Sequence, residues 1–135
     1  MRKFTRSVMV GSVGIGGEYP VRIQSMTNTD TKDVEATVAQ IKRLELLGCE
    51  LIRVSVPDRD SALALPAIKK EIRIPLIADI HFDADMALLS MELGVDKIRI
   101  NPGNIPKGRL TEIIDLAMRR SSPIRIGVNS GSVEK

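Results

Sequence analysis

Four short stretches of this chain, "VRIQ" (21–24), "IRVS" (52–55), "IRIN" (98–101) and "IRIG" (124–127), set one arginine between two aliphatic residues. Side chains of a strand point alternately to opposite faces, so each stretch declares one apolar face and one polar face. A chain that repeats this pattern every few tens of residues has few folds open to it. A fifth copy, "IRIP" at 72–75, is a decoy, because its proline opens a strand and leaves Arg73 ahead of it. That strand carries "ADIH" (78–81) in the equivalent place.

The motifs sit in β-branched runs: "PVRIQSM", "LIRVSVP", "IPLIADIHF", "KIRINPGN" and "PIRIGVNS". These start at 20, 51, 74, 97 and 123, so the spacings are 31, 23, 23 and 26 residues. Between them lie "DVEATVAQIKRLELLG", "DSALALPAIKKEI", "DADMALLSMELG" and "KGRLTEIIDLAMRR", whose apolar residues recur at helical period. In the first, Val34, Val38, Ile41 and then Leu44 or Glu45 trace the stripe. Asp33 and Asp83 stand where N-caps belong, and Gly48 and Gly94 where helices stop. Pro66 predicts a short, late-starting or kinked second helix. Ahead of these units, "RSVMVGSVGIGGEYP" predicts a β-hairpin. Its glycines do not meet the GxGxxG spacing of a dinucleotide loop, and no helix follows them.

Alternating strands and helices at this spacing predict parallel βα units. One strand parity collects Gln24 and Met26, Arg53 and Ser55, Asp79 and His81, Arg99 and Asn101, and Arg125, Gly127 and Asn129. The other collects Ile23, Ile52, Val54, Val56, Ile80, Ile98, Ile100, Ile126 and Val128, a face for helices to cover. A doubly wound sheet would want both faces apolar. One apolar face and one polar face predict instead a partial (β/α)8 TIM-type barrel of about five βα units, with its chemistry at the strands' C-terminal ends. A complete barrel commonly takes about 250 residues, so residues 1–135 are expected to be the N-terminal part of one.

The 135 residues carry 20 basic and 17 acidic side chains, a mild net charge of +3 without long basic runs. Aromatic content is two Phe, one Tyr and no Trp, so the core must be aliphatic and no stacking platform for nucleic acid is expected. No apolar stretch reaches membrane-spanning length, and a cytoplasmic location is the expectation. The single cysteine, Cys49, reads as a small buried apolar residue, and no metal-ligand set is visible.

Arginine keeps its proton and presents a planar fork suited to phosphate or carboxylate. Arg53, Arg99 and Arg125 converging on one partly dry cavity repel one another unless an anion answers them. Asp79 can neutralise one of them, and the remainder invite a polyanion, most simply a diphosphate. Asn101 and Asn129 can donate amide hydrogens to its oxygens, and His81 can donate a proton near neutral pH. Plainer readings compete: a barrel-lining ion pair for Asp79, turn chemistry for Asn101-Pro102-Gly103, a structural histidine for His81.

At "IQSMTNTDT", "GCELIRVSVP", "LIADIHF", "GVDKIRINPGN" and "RIGVNSGS" the chain closely resembles the N-terminal barrel of the 4-hydroxy-3-methylbut-2-enyl diphosphate synthase family. The resemblance runs over essentially the whole chain. It implies an oxidoreductase of the methylerythritol phosphate route to isoprenoids, which opens the ring of 2-C-methyl-D-erythritol 2,4-cyclodiphosphate by two-electron reduction with loss of water. It implies a 4Fe–4S cluster fed by ferredoxin or flavodoxin, and a homodimer. The matching substrate-binding positions are Arg53, Arg99, Asn101, Arg125 and Asn129 around the diphosphate, with Asp79 and His81 at the ring and its hydroxyls as the catalytic pair. Gln24, Ser25 and Met26 lie at the rim. The family's cluster ligands belong to a C-terminal domain, so this chain is expected to hold no metal ligand and to be inactive alone. Two rival readings are a dihydropteroate-synthase-like barrel transferase and a non-catalytic anion-binding half barrel.

Overall fold

A computed structural model describes residues 3–132. A hairpin of β1 (Val8–Val10) and β2 (Val13–Ile15) comes first, turned by Gly11 at φ +56°. The main body follows: β3 (Gln24–Met26), α1 (Val34–Leu46), β4 (Leu51–Ser55), α2 (Arg59–Glu71), β5 (Leu76–Asp79), α3 (Ala84–Glu92), β6 (Lys97–Ile100), α4 (Lys107–Arg120) and β7 (Ile124–Ile126). Strands β3 to β7 form one sheet, all parallel, in unbroken sequence order. A singly wound order of this kind is that of a barrel wall, and a doubly wound sheet would reverse part-way. Among the described residues these make four complete βα units and a fifth parallel strand. After β7 the chain makes only a 3-10 turn at Ser130–Ser132.

The helices start and stop for local reasons. The Asp33 carboxylate accepts from the Ala36 amide at 3.1 Å, that of Asp58 from Ser61 at 2.8 Å, and that of Asp83 from Asp85 at 2.8 Å. The Ser61 amide holds the Asp58 carboxyl below the usual carboxylate range. After α1 and α3 the chain turns left-handed at Gly48 (φ +93°) and Gly94 (φ +88°), conformations that favour glycine.

Three expectations need correcting. Helix α2 neither starts late nor runs short, since it spans 13 residues with Pro66 inside it. Pro66 is exposed, and the buried stripe of Ser61, Ala62, Leu65 and Ile68 passes it on the far side. The first parallel strand begins at Gln24 rather than Pro20. Finally, Ile23, Ile126 and Val128 do not lie under helices and are 59%, 67% and 57% exposed. They belong to the two outermost strands or the segments flanking them, beyond the helical cover.

Elsewhere the apolar parity forms the main core. Ile52, Val54, Val56, Leu76, Ala78, Ile80, Ile98 and Ile100 pack with Val38 and Ile41 of α1, Leu65 and Ile68 of α2, Met91 of α3 and Ile113 of α4. A second cluster lies on the other face, where Val10 of the hairpin meets Leu51 and Ile77, flanked by Val13 and Ile15. The hairpin therefore plugs the N-terminal end of the barrel's inner face. Above this plug the inner face turns polar.

Candidate anion-binding site

Strand register sorts the inner side chains into rows. The lower row runs Met26, Arg53, Ile77, Lys97 across β3 to β6. The upper runs Ser55, Asp79, Arg99, Arg125 across β4 to β7. Paired residues in a parallel sheet share a face, so both rows look into the same space. Arg53 thus stands one step below Arg99 and Arg125, not level with them.

Asp79, 3% exposed, is shared by two guanidinium groups. Arg53 Nε lies 3.4 Å from one carboxylate oxygen and Arg99 Nη1 3.3 Å from the other. Neither arginine has a carboxylate to itself. Arg53 also directs Nε and Nη2 toward the Met26 sulfur, each at 3.4 Å. The Arg99 guanidinium lies close against Gly127. A Cβ built there would stand 2.5 Å from its Nε and 2.6 Å from its Nη2, so only glycine leaves the guanidinium its place. Arg125 is exposed and forms no ion pair among the described residues.

His81 stands two residues past the end of β5, and its Nε2 lies 2.8 Å from the hydroxyl of Ser55 on the neighbouring strand. Asn101 is 1% exposed. Its Oδ1 accepts from the Gly103 amide at 3.1 Å, and its Nδ2 donates to Ser132 Oγ at 2.9 Å. That side chain ties together the turns after β6 and β7. Asn129 is exposed, and its main chain bonds the same Ser132 hydroxyl. Gln24 shares the inner parity one step below Met26. Ser25 pairs with Ile52 and so takes the outward parity, away from the arginines. The structure thus gathers Arg53, Asp79, Arg99 and Arg125, sets His81 and Asn101 above them, and leaves Ser25 apart.

Two details lay outside the sequence reading. Arg22 of "VRIQ" is not equivalent to the other motif arginines, since Arg53 pairs in register with Met26, four residues on. Arg22 instead pairs with Glu50 at 2.8 Å and donates to the Gly14 carbonyl at 2.9 Å, fastening β3's approach to the hairpin. The other is Lys97, 8% exposed on the inner face. Burial, then the charges of Arg125 and Arg53, push its ammonium below the usual lysine range. Carrying the strand alternation two residues back from Arg99 would have found it.

No group of three or more His, Cys, Asp or Glu among the described residues could hold a metal ion. Cys49 is buried before β4, at the opposite end of the strand from this site, with its thiol donating to the Leu51 carbonyl at 3.0 Å. An iron–sulfur cluster therefore finds no ligand set in the described residues. No described helix is long and apolar enough to cross a membrane.

Residues 5–135 match the family model described as GcpE TIM-barrel domain. The chain is 57% identical over 136 residues to a 4-hydroxy-3-methylbut-2-en-1-yl diphosphate synthase (flavodoxin) of Caldanaerobacter subterraneus subsp. tengcongensis, covering 100% of this chain and 38% of that relative. It is 57% identical to the protein of the same name from Azotobacter vinelandii, covering 99% of this chain and 36% of the relative. The chain thus spans little more than a third of the curated relatives it matches. Among solved structures it is similar to a Xanthomonas albilineans dihydropteroate synthase (TM-score 0.68, 16% identity), over 96% of this chain and 54% of that one. It is also similar to a mandelate oxidase mutant (TM-score 0.58, 16% identity), over 82% of this chain and 43% of that one. At such identities the likeness is one of barrel fold.

Proposed function

The chain belongs to the GcpE TIM-barrel family, and from that premise we propose that it supplies part of the substrate site of a 4-hydroxy-3-methylbut-2-enyl diphosphate synthase. The substrate is 2-C-methyl-D-erythritol 2,4-cyclodiphosphate, opened by two electrons with loss of one water. One observation carries the reading: three arginines face one space with a single carboxylate, Asp79, which Arg53 and Arg99 already share, in a barrel whose relatives are named for a diphosphate product.

In this reading Arg53, Arg99 and Arg125 bind the diphosphate, with Asn129 beside Arg125 at the mouth. Asn101 contributes by fixing the turns that frame the site. Asp79 holds the two guanidinium forks in place before substrate arrives. His81, oriented by Ser55, is placed to give a proton to a departing hydroxyl. A 4Fe–4S cluster would supply the electrons, drawn from flavodoxin, as in the names of the relatives, or from ferredoxin. Its ligands would come from residues other than those described, and a homodimer would bring a second copy to the site. The remaining barrel strands and a C-terminal iron–sulfur domain are proposed to lie in the greater length of the relatives.

Titrating the cyclodiphosphate into the protein and its Arg99→Ala and Arg125→Ala variants tests this. Loss of one charge-assisted contact predicts roughly tenfold weaker binding, or more, for each variant. Unchanged affinity in both would refute the assignment.

A further inference from the structure

We propose that Lys97 is a further cation of the anion site, lying at its floor, and that a bound diphosphate draws a proton onto its amine. The inference rests on the diphosphate reading above and deepens it. Lys97 is the first residue of β6, shares the inner parity with Arg99, and neighbours Ile77 in the lower row. It is 8% exposed and makes no hydrogen bond or ion pair with any described residue. Lysine is rarely buried so deeply without a partner.

Its surroundings leave one direction for the charge. Beside and beneath it the surface is apolar, made of Ile77 in its own row, Leu51 and the hairpin residues Val10, Val13 and Ile15. The charged groups facing it are Arg53 from β4, Asp79 from β5 one row up, Arg99 on its own strand and Arg125 from β7. β3 offers only Gln24 and Met26, neither titratable. The one carboxylate, Asp79, is already held by Arg53 and Arg99. Four cations against one anion leave an excess of three positive charges when Lys97 is protonated. An unpaired cation in that position is costly. The lowered proton affinity from burial and from Arg125 and Arg53 agrees with this. A diphosphate among the arginines cancels their excess positive charge and makes the protonated amine the favoured form. Between the lowered and the ordinary lysine range, anion binding then takes up a proton.

The test uses inorganic diphosphate as the probe. Calorimetric titrations in buffers of differing ionisation enthalpy, on the alkaline side of neutrality, count the protons exchanged. Wild type is expected to take up protons on binding. Lys97→Met is expected to bind roughly tenfold more weakly with that uptake gone, while Lys97→Arg keeps affinity without uptake, because guanidinium does not release its proton. Equal affinity and equal uptake in wild type and Lys97→Met would overturn the role of Lys97 and leave the diphosphate reading standing. No binding of diphosphate by wild type would overturn both. Should the variants fail to fold, the Lys97 Cε resonance of the wild-type protein decides. Its titration moves to higher pH with diphosphate if the inference holds, and an unmoved titration overturns it.

Discussion

Arg99 owes its position as much to a missing side chain as to the carboxylate it meets. Gly127 directly follows β7, the neighbouring strand in the sheet, and a single methyl there would stand 2.5 Å from Nε. Gly127→Ala should push the guanidinium off Asp79 and weaken diphosphate binding roughly tenfold, the worth of one charge-assisted contact. Gly127 is not left-handed, so the backbone accepts alanine, and the thermal midpoint should move little. Calorimetry paired with a melting curve separates the two effects. Lys97 offers the converse case, a group that serves the site at the expense of stability. Its folded pKa lies below its unfolded value, so between the two the unfolded chain binds more protons. Stability must therefore rise with pH as Lys97 loses its proton in the fold, and level off in the ordinary lysine range. Lys97→Met should remove that slope and raise the midpoint at neutral pH by a few degrees. A flat difference between the two proteins from neutral to alkaline pH would contradict it.

Among elements, α2 shows how tertiary packing overrides local grammar. Pro66 removes an amide that would otherwise bond to the Ala62 carbonyl, yet the helix runs through it, capped by Asp58 and pinned by Leu65 and Ile68. The proline is exposed, so Pro66→Ala should restore the bond without disturbing the core, stabilising by about 1 kcal/mol or more. Chemical denaturation would measure it, and a neutral or destabilised variant would mean that the proline serves the packing. The same contrast explains what could be read from sequence. The inward set Arg53, Asp79, Arg99 and Arg125 was legible because strand alternation has period two and needs no knowledge of neighbours. The stagger of Arg53 below Arg99 was not, since register between strands depends on how helices of different length return the chain. Arg22 misled for that reason, its motif matching while its register did not. Lys97 escaped notice because a lysine opening a strand looks like an ordinary solvated end. Its burial depends on the inner face that the distant hairpin closes at Leu51 and Ile77.

At the scale of the whole molecule the site and the weakest surface are the same strand. Strand β7 pairs only with β6, and β3 only with β4, so among the described residues each leaves one edge without a partner. Beside β7, Ile126 and Val128 are joined by Ile114 and Met118 of α4, which are 49% and 75% exposed. An edge with this much apolar surface invites pairing with another chain. The 135-residue chain should therefore associate with its own copies as concentration rises. Lys side chains at the edge oppose such pairing, so Ile126→Lys combined with Val128→Lys should return it to a monomer. Both residues face away from the arginine rows, and the Arg99–Asp79 contact should survive in the variant. Arg125 lies on this strand too, exposed but facing the site. Whatever covers the edge also shields Arg125 from water and strengthens its hold on an anion. Diphosphate affinity should then rise with protein concentration in the wild type and stay constant in the edge variant, with reciprocal promotion of association by diphosphate. Sedimentation velocity with and without diphosphate measures both, and a wild-type chain that stays monomeric at about 100 μM, well above typical association constants in the μM range, would separate the open edge from the site.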